Sequence, residues 1–440
     1  MNLFTPSVAV AISTVLLFCT NNVDPDRTTP SISVTVSDRG DSSAIVQANV
    51  ILYDANTNEP VSRAFTGSNG QVRFILSDWG TYYLKVEAQG YEPVPIPGGA
   101  PLPFEVSNGE SRPSVYMTPV GSNNVSGGFG GYIKDSSGEP VQGVLIIAGD
   151  GTHYYSGTSG PDGYYVFYNL PSGTYTLEAH KSGYQPPASV QHITITDKFS
   201  IESLTFILTS DNGGTVNGHV AFVAAANPDG DIDVTLIHPE TKDAVPGLST
   251  LIDASNSDYS ISGVPYAEYI AWASYRNDGY VMDPDAIRKF GLPSVSLSPE
   301  HPDTSVDFKV TGAIKIISPT NVPDSTYPVE ISTTSPTFTW VKTSSYSSAK
   351  EYIIEVFDSN GRTVWGGFDA SGTIRHTKID VTDTSSVVFN FDGSAEDSLH
   401  SGEIYRWKVY ADDDRAAGVQ TLLSASEDLM GLFKVVEPEE

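Results

Sequence analysis

The 440 residues suffice for three or four domains of ordinary size. Only 18% are charged, and 53 Asp and Glu stand against 24 Lys and Arg, a net charge of −29 at pH 7. A surface this acidic repels nucleic acid and anionic headgroups, and the single cysteine, Cys19, leaves no disulfide to staple a fold.

Residues 1–19 open the chain as an export signal. The stretch 8–18 is apolar but too short to span a bilayer, as the apolar core of such a signal is. Cys19 closes it in a manner that resembles the lipobox of bacterial lipoproteins. Leu16 fits the −3 position, and Phe18 departs from the small residue usual at −1. The resemblance implies that Cys19 is acylated. Residues 20–31 are polar and contain proline, which reads as a tether.

The next elements come in copies. Residues 80–93 read GTYYLKVEAQGYEP and residues 173–186 read GTYTLEAHKSGYQP, 93 positions apart, with Gly70 and Gly163 at the same offset. A fixed long period marks a duplicated unit, and this one has the length of a small β-sandwich. Tyr82, Leu84 and Val86 alternate with polar residues, as Tyr175, Leu177 and Ala179 do, which is the period of a half-buried strand. The first sandwich is placed at 32–119 and the second at 130–210. A degenerate third copy at 215–312 has lost several turn glycines and carries one short helix at 283–290. The fourth unit, 315–436, has another pattern. Its alternating strand 336–340 buries Trp340, and Tyr405 with Trp407 sits on a strand like the tyrosine-corner strand of Ig-like sandwiches. The fold class is all-β: tandem β-sandwiches, beads on a string, behind a signal segment.

The second unit carries GEPVQGV at 138–144, DGYYVF at 162–167, LPSGTY at 170–175 and Gly183-Tyr184. This resembles the carboxypeptidase regulatory-like domain, a transthyretin-like sandwich also called a carbohydrate-binding-like fold. The first unit is similar with departures, Asn69 for the Asp and Asp78-Trp79 for the Leu-Pro. The fourth looks like a fibronectin-III or related Ig-like module. The resemblance implies an accessory or surface role. Glycine at the turns and inward tyrosines explain the motif as structure.

Chemistry is sparse in the pattern. None of the eight histidines sits at metallopeptidase spacing, and no nucleophile elbow occurs. Asp229, Asp231, Asp233 and Glu240 stand at positions 1, 3, 5 and 12 of an EF-hand-like loop, the one pattern that points to Ca2+. Val234 occupies position 6, where glycine is needed, and 233–237 reads as a strand. Asp412, Asp413 and Asp414 read as an exposed acidic loop. Aromatic residues beside turns are the candidate ligand-binding groups: Trp365 and Phe368 around Gly366-Gly367, and Tyr154. Function is expected to be non-enzymatic: a lipoprotein of the cell surface or outer membrane, acting as spacer or adhesion protein. The partners expected are surface polysaccharide or other envelope proteins, with no nucleic acid. A carbohydrate-binding protein of a glycan-uptake system and an accessory module of a surface enzyme complex are the alternatives.

Overall fold

The computed structural model describes residues 29–96, 101–107, 109–120, 127–186, 191–196, 201–222, 232–252, 257–275, 279–322, 327–342, 351–369, 373–376, 379–380, 385–413 and 422–437. They form four consecutive two-sheet units, an all-β tandem array. In the first unit, strand Ser31–Asp38 pairs antiparallel with Gln71–Ile75 and parallel with Ser114–Met117. Facing it, Pro60–Phe65, Asn49–Asp54, Gly80–Glu87 and Phe104–Val106 make the second sheet. Alternate residues such as Val34, Val36, Val50, Leu52 and Leu84 meet between the sheets. The second and third units repeat this layout and add one strand each, Tyr184–Gln185 and Tyr280–Met282, to the sheet of the first strand. Leu145–Gly149 and Ile232–Ile237 take the place of Asn49–Asp54, and Gly173–His180 and Glu268–Tyr275 that of Gly80–Glu87. The degenerate third copy has therefore kept the topology while losing the turn glycines.

A hydrogen bond explains why the repeated tyrosine survives. Tyr82 Oη donates to Asp78 O (2.8 Å), Tyr175 Oη to Pro171 O (2.7 Å) and Tyr269 Oη to Pro265 O (3.1 Å). In each unit the ring fills the core and its hydroxyl closes the turn four residues upstream, which satisfies a polar tip that burial would otherwise penalise. Gly163 has φ +74°, and a Cβ there would lie 2.6 Å from Ile133 O; Gly70, its counterpart, has φ +71° and meets Val36 O at the same distance. Only glycine fits such a position.

The fourth unit opposes a three-stranded sheet to a seven-stranded one around Trp340, Trp365, Trp407 and Phe338. Tyr405 Oη accepts from His400 N (2.8 Å) and donates to Glu403 Oε2 (3.0 Å). The helix is Pro284–Phe290. Asp283 caps it by accepting from Asp285 N, proline stands at its first turn, and Gly291 ends it at φ +80°. No helix among the described residues is long and apolar enough to cross a membrane.

The units touch. Strand Leu145–Gly149 is apolar on both faces: Ile146 and Ala148 enter the core of the second unit, while Leu145 and Ile147 join the core of the third. Gly183 N donates to Gly263 O across the same seam (2.8 Å). The first unit meets the second through Arg63–Asp162 (2.7 Å), Lys181–Glu59, and Asn169, whose side chain binds Gly90 N, Ala88 O and Tyr91 O. It meets the fourth through Arg39–Glu403 (3.0 Å), Arg39–Asp358 and Arg362–Glu92.

Candidate functional site

The residues singled out in the sequence go to different places. Cys19 lies outside the described residues. Trp365 is not a ligand ring. It is 1% exposed, lies 5.5 Å from Phe389 and 6.2 Å from Phe338 between ring centroids, and its Nε1 donates to Asp392 Oδ1 and Ser394 Oγ (3.2 Å each). Gly366 and Gly367, which suggested a binding loop, have φ +74° and +66°, and the first presses on Ile354 O, where no side chain fits. They let the strand bend against its neighbour. Phe368 is half-buried edge-on against Tyr410 (5.6 Å), and half-buried Tyr154 packs on the core of the third unit. Asp233 stands mid-strand, paired on both sides with Leu251 and Ser274, while Glu240 sits in an exposed turn, so these two do not share a loop. Asp229 and Asp231 lie outside the described residues. Asp412 and Asp413 are buried rather than exposed: Asp412 is the last residue of strand Ile404–Asp412, paired with Glu351, and Asp413 follows it directly; Asp414 lies outside the described residues.

Asp397, Ser398 and His400 come close together, but Ser398 Oγ (3.5 Å) and Asp397 Oδ1 (3.4 Å) approach the same ring nitrogen, Nε2. A relay needs the two on opposite nitrogens.

The concave feature is a seam instead. A cavity of about 530 Å³ lies where the first, third and fourth units meet, and a second of about 450 Å³ lies on the side of the second unit. Lys85 and Asp243 line both and form their common wall, Nζ to Oδ1 2.5 Å. Burial alone would raise the Asp243 carboxyl; the ammonium of Lys85 outweighs it and holds the group below its usual range. The same pairing raises Lys85 against burial. Tyr53 and Tyr83 stack beneath at 4.8 Å between centroids, and burial pushes the Tyr53 phenol up to about 12.

Arg406 is the unusual member of the larger cavity. The residue is 7% exposed, its Nε has no hydrogen-bond partner among the described residues, and burial lowers its pKa to about 10. Trp272, half-buried, lines the same space with Lys408 and Asn58. A buried guanidinium with spare donors, next to an indole, suits binding of a small polar or anionic group. Composition and spacing gave no sign of this site, since Lys85, Asp243 and Arg406 come from three units.

Four tandem two-sheet units define a modular all-β protein. Residues 31–105 and 128–209, in the first and second units, match the family model of the carboxypeptidase regulatory-like domain. No curated protein matches the chain. Among solved structures it is similar to BcpA, the major pilin subunit of Bacillus cereus, with 12% identity, 65% of this chain and 100% of that one covered, and a TM-score of 0.18. A streptococcal ancillary pilin gives 12% identity, 64% and 98% coverage and a TM-score of 0.20. The Bacillus anthracis TIE protein gives 14%, 65% and 51%, with a TM-score of 0.18, so the chain spans about half the length of that protein.

Proposed function

We propose that the chain is a non-enzymatic structural protein of the bacterial envelope, a lipid-anchored spacer or adhesion scaffold whose four sandwiches act as one block. The observation that carries this reading is the set of seams. The first unit is clamped to each of the other three by ion pairs, and the second and third share an apolar core. Among the described residues Trp340, Trp365, Trp407, Tyr165 and Tyr269 are all fully buried in cores. A chain that invests its rings and charges in holding its units together is built to keep a shape.

Cys19 is the anchor in this reading. More than one acyl chain gives stable attachment, whereas a single chain binds marginally. Cys19→Ser should move the protein from the membrane fraction to the soluble fraction, and intact cells should lose their protease-accessible copy. Recovery of the wild-type protein in the cytosol, with its N-terminus unmodified, sinks the proposal.

The cavity favours a second reading, capture of a glycan at the cell surface. Trp272 offers a ring for a sugar face, and Arg406 a guanidinium for a carboxylate or sulfate. An array of neutral and acidic glycans tests it. Binding confined to acidic members supports the reading, and an array blank throughout removes it.

A further inference from the structure

We propose that Glu178, His180 and His238 form a binding site for a divalent transition-metal ion, zinc above all, at the seam between the second and third units. Glu178 and His180 are two apart on strand Gly173–His180, so both side chains leave the same face of the sheet. That face is covered by the third unit, which brings His238 from the end of strand Ile232–Ile237. Glu178 Oε2 lies 3.2 Å from His180 Nε2 and 3.8 Å from His238 Nε2, and the three ligand atoms fall within 4.8 Å of one another. A tetrahedral zinc ion with bonds near 2.0–2.1 Å needs ligand atoms about 3.3 Å apart, which small side-chain shifts supply. Both imidazoles are 3% exposed, whereas the Glu178 side chain is 47% exposed, so a fourth, solvent ligand can enter beside the carboxylate.

The hydrogen bonds around the rings point the same way. Tyr269 Oη donates to Pro265 O, so toward His180 Nδ1, 3.3 Å away, it is the acceptor. His180 therefore carries its proton on Nδ1 and turns the lone pair of Nε2 to the Glu178 carboxylate. Two acceptors facing each other need a proton or a cation between them. The Tyr269 hydroxyl is then the outer partner that a ligating histidine normally has. On the other side His238 Nδ1 lies 3.3 Å from Glu240 N and Thr241 N and 3.4 Å from Thr241 Oγ1. Its Nδ1 accepts from those amides, so without an ion the proton sits on Nε2, which faces Glu178 Oε2 at 3.8 Å, beyond hydrogen-bond distance. Loading moves that proton to Nδ1, where Thr241 Oγ1 accepts it, and the two long amide bonds are given up. Imidazole with one carboxylate suits zinc and its neighbours and does not suit Ca2+ or Mg2+.

The ion would join two units, so its binding should be visible in their stability as well as in stoichiometry. The full chain is titrated with Zn2+ by calorimetry, with Co2+ as a coloured stand-in, against a background of excess Ca2+ that saturates surface carboxylates. One Zn2+ per chain, intense tetrahedral Co2+ bands and a raised melting temperature are expected. Glu178→Gln sits at a half-exposed position that does not threaten the fold, and His238→Gln keeps a polar group in the seam. Each should weaken Zn2+ by more than about tenfold and abolish the thermal shift. His219→Gln, at an exposed histidine elsewhere on the third unit, should change neither. No Zn2+ bound in competition with Ca2+, weak octahedral Co2+ bands, or affinity that survives both Glu178→Gln and His238→Gln overturns the site.

Discussion

Replacing Lys85 by Met leaves Asp243 in the wall between the two cavities without its cation. The side chains are only 20% and 16% exposed, and the Nζ–Oδ1 distance is 2.5 Å. At an effective dielectric of 20 the gross attraction at that separation is about 7 kcal/mol, most of it offset by the cost of taking both charges out of water. Breaking one partner of a buried pair typically costs about 3–5 kcal/mol; allowing for the residual exposure, we expect about 2–4 kcal/mol. Asp243→Asn should cost somewhat less, because the amide still hydrogen-bonds. The double change Lys85→Met with Asp243→Leu should return to within about 1 kcal/mol of wild type, since a buried ion pair and an apolar pair of similar volume come out close. Scanning calorimetry of the full chain resolves which transitions move, and those of the first and third units should move together. A loss below about 0.5 kcal/mol for Lys85→Met, the value of an exposed pair, would show the seam open to water and refute the block of joined units. The pH sign follows from the depressed Asp243 carboxyl: its contribution is complete above the unfolded value of 3.8 and is lost as pH falls through the lower folded value. The seam should hold from neutrality to about pH 4 and loosen below it.

Glu87, on the same strand face as Lys85, acts in the opposite direction. Burial raises its pKa from 4.5 to about 7, so its contribution is complete below 4.5 and lost as pH rises through 7. Glu87→Gln should flatten a slope of up to about 3 kcal/mol between pH 5 and 8 in urea midpoints, and an unchanged slope would place the carboxylate in solvent. Trp365→Ala should cost about 3–5 kcal/mol and unfold the fourth unit first, because the ring packs on Phe338 and Phe389. A melting temperature within a degree or so of wild type would put that ring back on the surface.

Architecture was legible because it rests on local signals. The alternation around Tyr82 and Tyr175, the turn glycines at 70 and 163, and the Asp283-Pro284 helix start each state their own structure. The seams were not, although one sign was present. Val50-Ile51-Leu52-Tyr53 and Leu145-Ile146-Ile147-Ala148 are unbroken apolar runs, the mark of a strand covered on both faces. A free-standing sandwich would have shown polar residues at Ile51 and Ile147. Lys85 and Glu178 are counterparts at the 93-residue offset, as are Glu87 and His180, so titratable groups recur on the outer face of an interior strand. What Lys85, Glu178 and His180 meet there is decided by a different unit, about 60 to 160 residues on, and no local pattern encodes it. Trp365 failed for a related reason: paired glycines mark a backbone kink in the core as readily as a loop.

The parallel pairing of the first strand with the last in each of the first three units has a mechanical consequence. Ser31–Asp38 lies alongside Ser114–Met117, Gly128–Asp135 alongside Phe206–Ser210, and Gly214–Phe222 alongside Phe308–Gly312. Tension along the chain enters each unit at one of these strands and leaves at the other, pulling them in opposite directions along their length. The hydrogen bonds between them are then loaded in shear, all at once, rather than peeled one after another. Such a unit yields at a high force and yields abruptly, so a pull along the chain would be passed on with little stretch until a whole sandwich gives way.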